Sequence, residues 1–321
     1  MMHSRSLLAL TYLFLTGLII FPIFGDEFYQ ELVIRMMIMG IFAMSLDLLI
    51  GYTGLVSFGH AAFFGLSGYM LAIITPETGP VSIWLALPFC LLITAFAALI
   101  IGWFSVRTSG IYFIMITLAF AQMFYYYFNE NQSLGGSDGI FIFYKPAIFF
   151  GNFQLLDLNN PQNFYYFVLF SLIVSYLTLS IILQAPFGQV IRAIHANEKR
   201  TRALGYNTQR YKLISFVIAG TLAGFAGFLE ANAGGIVSPA HLGWHESGTI
   251  MMVVILGGMG TLYGPVLGAF AMGFLQDYFQ ELWSAHWLLL LGIFIIAIVL
   301  FLPNGIAGLF GQMADKKRNH K

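Results

Sequence analysis

Ionisable side chains are scarce in this 321-residue chain, so their positions decide what chemistry is open to it. Asp47 and His60 stand inside apolar runs, as does Arg35. An ionisable group in hydrocarbon is a functional candidate by default. Arg35 and Asp47 are separated by about 18 Å along a helix rising 1.5 Å per residue, too far to pair within it. Two readings stand for Asp47: a hydrogen-bond anchor or a group on a solute path. His60 reads as a neutral imidazole bonded to a neighbouring helix. Arg35, Glu230 and Asp277 fall near the ends of apolar runs and read as interfacial. His241 and His245 share a helical spacing of four, but only Glu246 stands beside them as a further ligand, so no metal site is expected. No paired carboxylates, proton-relay chain or nucleophile–base set appears. None of the six lysines precedes Ser or Thr, so there is no P-loop. If ATP drives this protein, another subunit holds the ATP and its magnesium, and this chain binds no cofactor of its own. The single cysteine, Cys90, excludes an internal disulfide and is expected to be inert packing.

The one polar concentration is Gln184–Leu213, which holds six of the fourteen Lys and Arg residues. It is expected to form one or two short helices over Phe187–Leu204, stopped by Gly205. Ile191, Ile194, Ala203 and Leu204 would give it an apolar edge, with cations over the rest.

The elements that carry these residues follow from composition. Hydrophobic residues make up 59% and charged residues 9%, against roughly 25% charged in soluble domains. Mean hydropathy is +0.82. Such a chain lies mostly in hydrocarbon, and long apolar runs without alternation predict helices rather than a β-barrel. We expect an all-α polytopic membrane protein, a single domain over 1–321, of about ten spans. They fall near 7–24, 32–50, 57–75, 83–105, 111–128, 164–184, 213–233, 248–261, 263–281 and 286–302. The eighth is short and reads as half of a broken helix. With the N-terminus inside, twelve of the fourteen Lys and Arg fall on the cytoplasmic side, leaving Arg35 and Lys145 outside. Both termini are then cytoplasmic, with the tail at 303–321, the basic loop at 185–212 inside, and the largest outer loop at 129–163. That loop and 233–246 either connect spans or dock an extracytoplasmic partner.

Two glycine-rich segments, Gly51–Gly68 and Gly257–Gly268, lie in corresponding parts of the two halves, as in pseudo-repeated transporters. Gly54, Ser57, Gly59, His60 and Gly65 in the first, and Gly260, Gly264 and Gly268 in the second, are candidates for the pathway or for tight helix packing, together with Asp47. A third small-residue stripe, Gly220, Gly224, Gly227 and Ala231, reads as packing.

Four segments in order, GYTGLVSFGHAAFFGLSG (51–68), GGSDGI (135–140), NEKRTRALGYNTQRYKL (197–213) and GGMGTLYGPVLGA (257–269), resemble the membrane subunit of branched-chain amino-acid ABC importers, the LivM-type permeases. The resemblance implies an ABC-importer permease fold, without bond chemistry. It would pair with a homologous second permease as a heterodimer, and work with two cytoplasmic ATPases and a periplasmic binding protein in the bacterial inner membrane. It makes the basic loop the segment that couples to the ATPase, through Asn197, Glu198, Arg202, Ala203 and Gly205. Thr201 stands where relatives often have alanine, and Lys199 and Arg200 replace the two alanines of the Glu-Ala-Ala signature. The lipid bilayer is the other partner, and nucleic acid is not one. Urea and short-amide importers share the broad family, so solute identity stays open. An ion-coupled secondary transporter is the rival class, but it would need intramembrane ionisable clusters that the sequence lacks.

Overall fold

The structure, a computed structural model, describes residues 14–23, 25–76, 79–150, 153–302 and 304–308. Residues 7–13 and 24 of the expected first span, and 303 and 309–321 of the expected tail, lie outside the described residues.

Each of the ten expected spans carries a helix. These are α1 (Phe14–Ile23), α2 (Glu27–Asp47), α3 (His60–Ile74), α4 (Ile83–Ser105), α5 (Ile111–Glu130), α6 (Pro161–Gln184), α8 (Thr208–Gly234), α9 (Trp244–Gly257), α10 (Gly264–Leu282) and α11 (Trp287–Phe301). A further helix, α7 (Pro186–Ala203), forms the basic arm. By length and apolarity alone six runs qualify to cross a membrane, with α2 counted through Thr53. Large apolar side chains point outward from several of them, for example Leu92, Phe96, Ile293 and Leu300. That surface is stable against lipid and not against water.

Several boundaries depart from expectation for local reasons. α2 starts at Glu27 rather than 32, with that acid in its first turn, where the helix dipole favours it. It continues as a π-helical turn, Leu48–Thr53. The third span was expected from 57, but residues 54–59 are irregular and α3 starts at His60. α8 begins at Thr208, not 213, because the Asn207 side chain caps it by accepting from the Arg210 N–H at 3.2 Å. Arg210 and Lys212 therefore ride on a helix. The 14-residue α9 follows a loop and a 3-10 turn, Pro239–Leu242, that packs against α3 and α5. At 1.5 Å per residue α9 is about 21 Å long, short of a bilayer's hydrocarbon core.

The all-α architecture carries two short strand pairs in its loops, both involving 129–163. There β2 (Ile148–Phe150) and β3 (Phe153–Leu156) form a hairpin. β1 (Ile140–Phe141) pairs antiparallel with β4 (Ile236–Val237), stitching this loop to the one after α8. Backbone groups in a loop need partners, and these short ladders supply them.

α2 and α8 form the centre. α8 contacts α3 and α4 closely through its glycine stripe. A Cβ at Gly227 would collide with the Phe64 backbone, and one at Gly224 with the Thr94 side chain at 2.6 Å. Lipid supplies no apolar drive for helices to associate, so this close backbone approach is what holds them.

Candidate functional site: the basic arm and two cavities

The arm is two helices joined at a break. Asn197 is extended (φ −162°, ψ 98°), so the axis turns there. Its side-chain oxygen then caps the second piece, accepting from the Arg200 N–H at 3.0 Å. Glu198 opens that piece and points back at α8. Its carboxylate accepts from the Thr208 hydroxyl at 2.9 Å, the Arg202 guanidinium at 3.1 Å and the Lys212 ammonium. Burial alone would raise the Glu198 pKa, but Lys212, Thr208 and Arg202 together outweigh it and hold the carboxyl below its ordinary value. Gly205 then ends the piece in the left-handed region (φ +92°), which lets α8 double back against the arm.

Ala203, Leu204 and Tyr206 are exposed on the arm, as are the cations Lys199, Arg200, Arg202 and Arg210 near them in sequence. Leu204 is 73% exposed. The four residues of the expected apolar edge do not share one exposure. Ile191 and Ile194, before the Asn197 break, are buried, whereas Ala203 and Leu204, after it, are exposed.

Behind the arm lies a cavity of about 660 Å³, lined by Gly54, Leu55, Gly110, His195, Asn197, Glu198 and Met259, among others. At the opposite end of the bundle a second cavity of about 290 Å³ runs from Leu32 and Arg35 to Phe42 and Phe64. α2 and its π-turn border both: residues 32–42 face the far cavity and 50–56 the arm cavity. Residues 43–49 between them are fully buried, a septum about 10 Å thick at helical rise.

Several sequence candidates lie in that septum. Ser45 Oγ is 2.6 Å from the Phe42 carbonyl, to which it donates, and shares a hydrogen bond of 2.8 Å with His60 Nε2. The buried His60 Nδ1 has no partner among the described residues. The ring stacks on Phe42 (5.6 Å, 6°), which stacks on Phe64 (4.5 Å). Asp47 accepts from the Gly260 N–H at 2.8 Å. That bond ties the last residue of α2 to the irregular stretch 258–263 after α9, at the base of the septum. Gly260 takes φ +74°, a left-handed conformation that lets its N–H face the carboxylate. Gly51 packs against the same pair, leaving no room for a Cβ.

The other candidates are packing points. A Cβ at Gly59 would meet the Thr117 carbonyl, at Gly65 the Leu242 side chain (2.6 Å), at Gly264 the Gly258 carbonyl (2.7 Å), and at Gly268 the Val253 carbonyl. Gly54 lines the arm cavity against His195. Ser57 is buried, and its hydroxyl has no partner among the described residues. Ser247, in the first turn of α9, accepts from the Ala61 N–H at 2.9 Å, so α3 and α9 start side by side.

Sequence reasoning treated Arg35, Glu230 and Asp277 as interfacial. The structure brings them together on the far cavity with His241 and Glu246. The available signal was Glu230, a lone acid near the end of an apolar run, but the convergence needs four helices and has no spacing signature. His241 lines the far cavity, whereas His245, which stacks on Trp244 at 3.8 Å, is not part of that lining. Among the described residues no group of three metal-ligating side chains occurs.

Apolar helices around a septum between two cavities, with one basic arm at an end, define a polytopic membrane transport subunit. Residues 28–299 match the family described as the permease component of the branched-chain amino acid transport system, and the chain belongs to that family. It is a transport component and not itself an enzyme. It is 28% identical over 289 residues to the high-affinity branched-chain amino acid transport permease LivM of Escherichia coli (strain K12), covering 84% of this chain and 68% of that protein. It is 28% identical over 144 residues to BraD of Pseudomonas aeruginosa, covering 44% of this chain and 46% of BraD. It is 27% identical over 122 residues to LivH of E. coli K12, covering 38% of this chain and 39% of LivH. No solved structure matches it.

Proposed function

We propose that this chain is one permease subunit of an ATP-driven importer of branched-chain or related hydrophobic amino acids. It lies in the bacterial inner membrane with the arm and both termini in the cytoplasm. The observation that carries this reading is the family match over residues 28–299, together with the likeness to LivM along 84% of the chain. Likeness to LivH as well supports a homologous second permease as its partner. The exposed Leu204 and Tyr206 with the cations near them in sequence suit a groove on a cytoplasmic ATPase, which would hold ATP and magnesium. The stitched loops 129–163 and 233–246 suit a periplasmic binding protein.

In this reading ATP binding moves the arm, and the Glu198 clamp passes the movement to α8. α8 is locked to α3 and α4 along its glycine stripe, so a small tilt shifts the septum and opens the two cavities in turn. Proteoliposomes holding the permease pair, ATPases and binding protein should take up leucine with ATP and not without it, and a protonophore should leave uptake intact. Uptake driven by an ion gradient in the absence of ATP would reverse the reading.

A further inference from the structure

The far cavity carries charges of both signs, each from a different helix: Arg35 on α2, Glu230 on α8, Glu246 on α9 and Asp277 on α10. Among the described residues none of the four makes a side-chain hydrogen bond, and no ion pair within 4.0 Å joins Arg35 to a carboxylate. All four line one cavity, so their charges face a common space. The inner end of the cavity is apolar, made by the stacked rings of Phe42 and Phe64, with Met36 and Val253 beside them. Its volume, about 290 Å³, lies near the lower limit of roughly 300 Å³ for pockets that take drug-sized molecules, so it suits a small solute.

We propose that this cavity is a solute subsite for a zwitterionic α-amino acid with an apolar side chain, held with its carboxylate on Arg35, its ammonium at Glu230 and Glu246, and its side chain on Phe42 and Phe64. A plain amine would leave Arg35 unmatched, and a plain carboxylate would face three acids. An uncharged solute would desolvate both sets without compensation. Of these solutes, one carrying both charges beside an apolar tail meets the largest part of the lining. Discrimination by such a site comes from the charged groups an incomplete analogue leaves unpaired. The subsite rests on the amino-acid import reading and sharpens it: this subunit would select solute as well as conduct it. Its position, on the opposite side of the septum from the arm, makes it the first stop of an imported solute.

The test uses the assembled transporter, with leucine and three analogues as probes: leucinamide, 4-methylpentanoate and 3-methylbutylamine. Cys90 is the chain's single cysteine and is buried. Gln276→Cys therefore places one accessible thiol on the cavity wall, and its alkylation can be followed on this chain by mass shift. Leucine should slow alkylation, and each analogue should need at least about tenfold more to do the same. Arg35→Gln should abolish the preference for leucine over leucinamide, and Glu230→Gln the preference over 4-methylpentanoate. If leucine at saturation leaves the alkylation rate unchanged while the wild-type assembly still imports it, the subsite is wrong and the import function stands. If the wild-type assembly imports no amino acid, both fall. The cysteine protection needs no charge replacement, so it decides the question even if the Arg35 and Glu230 variants fail to assemble.

Discussion

Glu198 and Lys212 show how much a single side chain can depend on its surroundings. Lys212 is 7% exposed and Glu198 29%. Removing Glu198 strands a buried ammonium, whereas removing Lys212 leaves a more exposed carboxylate that keeps Thr208 and Arg202. Glu198→Gln should therefore destabilise the arm by about 1–3 kcal/mol, and Lys212→Met by under about 1 kcal/mol. The double variant should cost less than the sum. Thermal unfolding of the assembled transporter, followed through a reporter on the arm, gives all three numbers. The pH dependence has a definite sign. A carboxyl held below its ordinary value stabilises the fold above its unfolded pKa, and this stabilisation is lost as pH falls through the folded value. The arm should loosen on acidification in wild type and respond less in Glu198→Gln. Asp47 allows a separate test. Its bond to the Gly260 N–H needs an acceptor and not a charge. Asp47→Asn should transport at near wild-type rates, while Asp47→Ala should lose about 1–3 kcal/mol and much of the uptake. Equal loss in both would give Asp47 a charge-dependent role in the pathway. Asp47 stood out as an ionisable group in an apolar run and Gly260 through the glycine-rich spacing, but their contact spans 213 residues, and no local pattern encodes it.

At the level of helices, the glycine positions divide by what lies opposite. Gly227 faces the Phe64 backbone, which cannot yield, whereas Gly248 has open space around it and sits in α9. Gly227→Ala should cost about 1–3 kcal/mol by overpacking and reduce assembled protein. Gly248→Ala should be neutral or slightly stabilising, because alanine is the better helix former. Surface yield of the two variants by detergent-resistant gel filtration compares them directly. The stripe on α8 was legible because small residues at helical spacing are a local pattern. The start of α8 was not, because Asn207 extends the helix through charged residues that hydropathy assigns to a loop. The β1–β4 pairing was hidden for a related reason: its partners lie almost a hundred positions apart in two loops with no alternating pattern.

For the whole molecule, the arrangement of two cavities about one septum makes a prediction about motion. A cysteine at Met259, on the arm cavity, and one at Gln276, on the far cavity, should change in opposite directions when a non-hydrolysable ATP analogue locks the ATPases. Parallel changes would point to general loosening rather than alternating exposure. By itself the sequence determined that this is an apolar helical chain with one basic arm, because hydrocarbon imposes length and polarity on each span independently. The four family-like segments, read in order, also gave its kinship. Tertiary structure alone decided that Glu198 turns inward on Lys212, that α3 and α9 start together, and that Arg35 meets three acids across a cavity. Those contacts join residues far apart in the chain, and only the packing of helices against one another, glycine against backbone, brings them within reach.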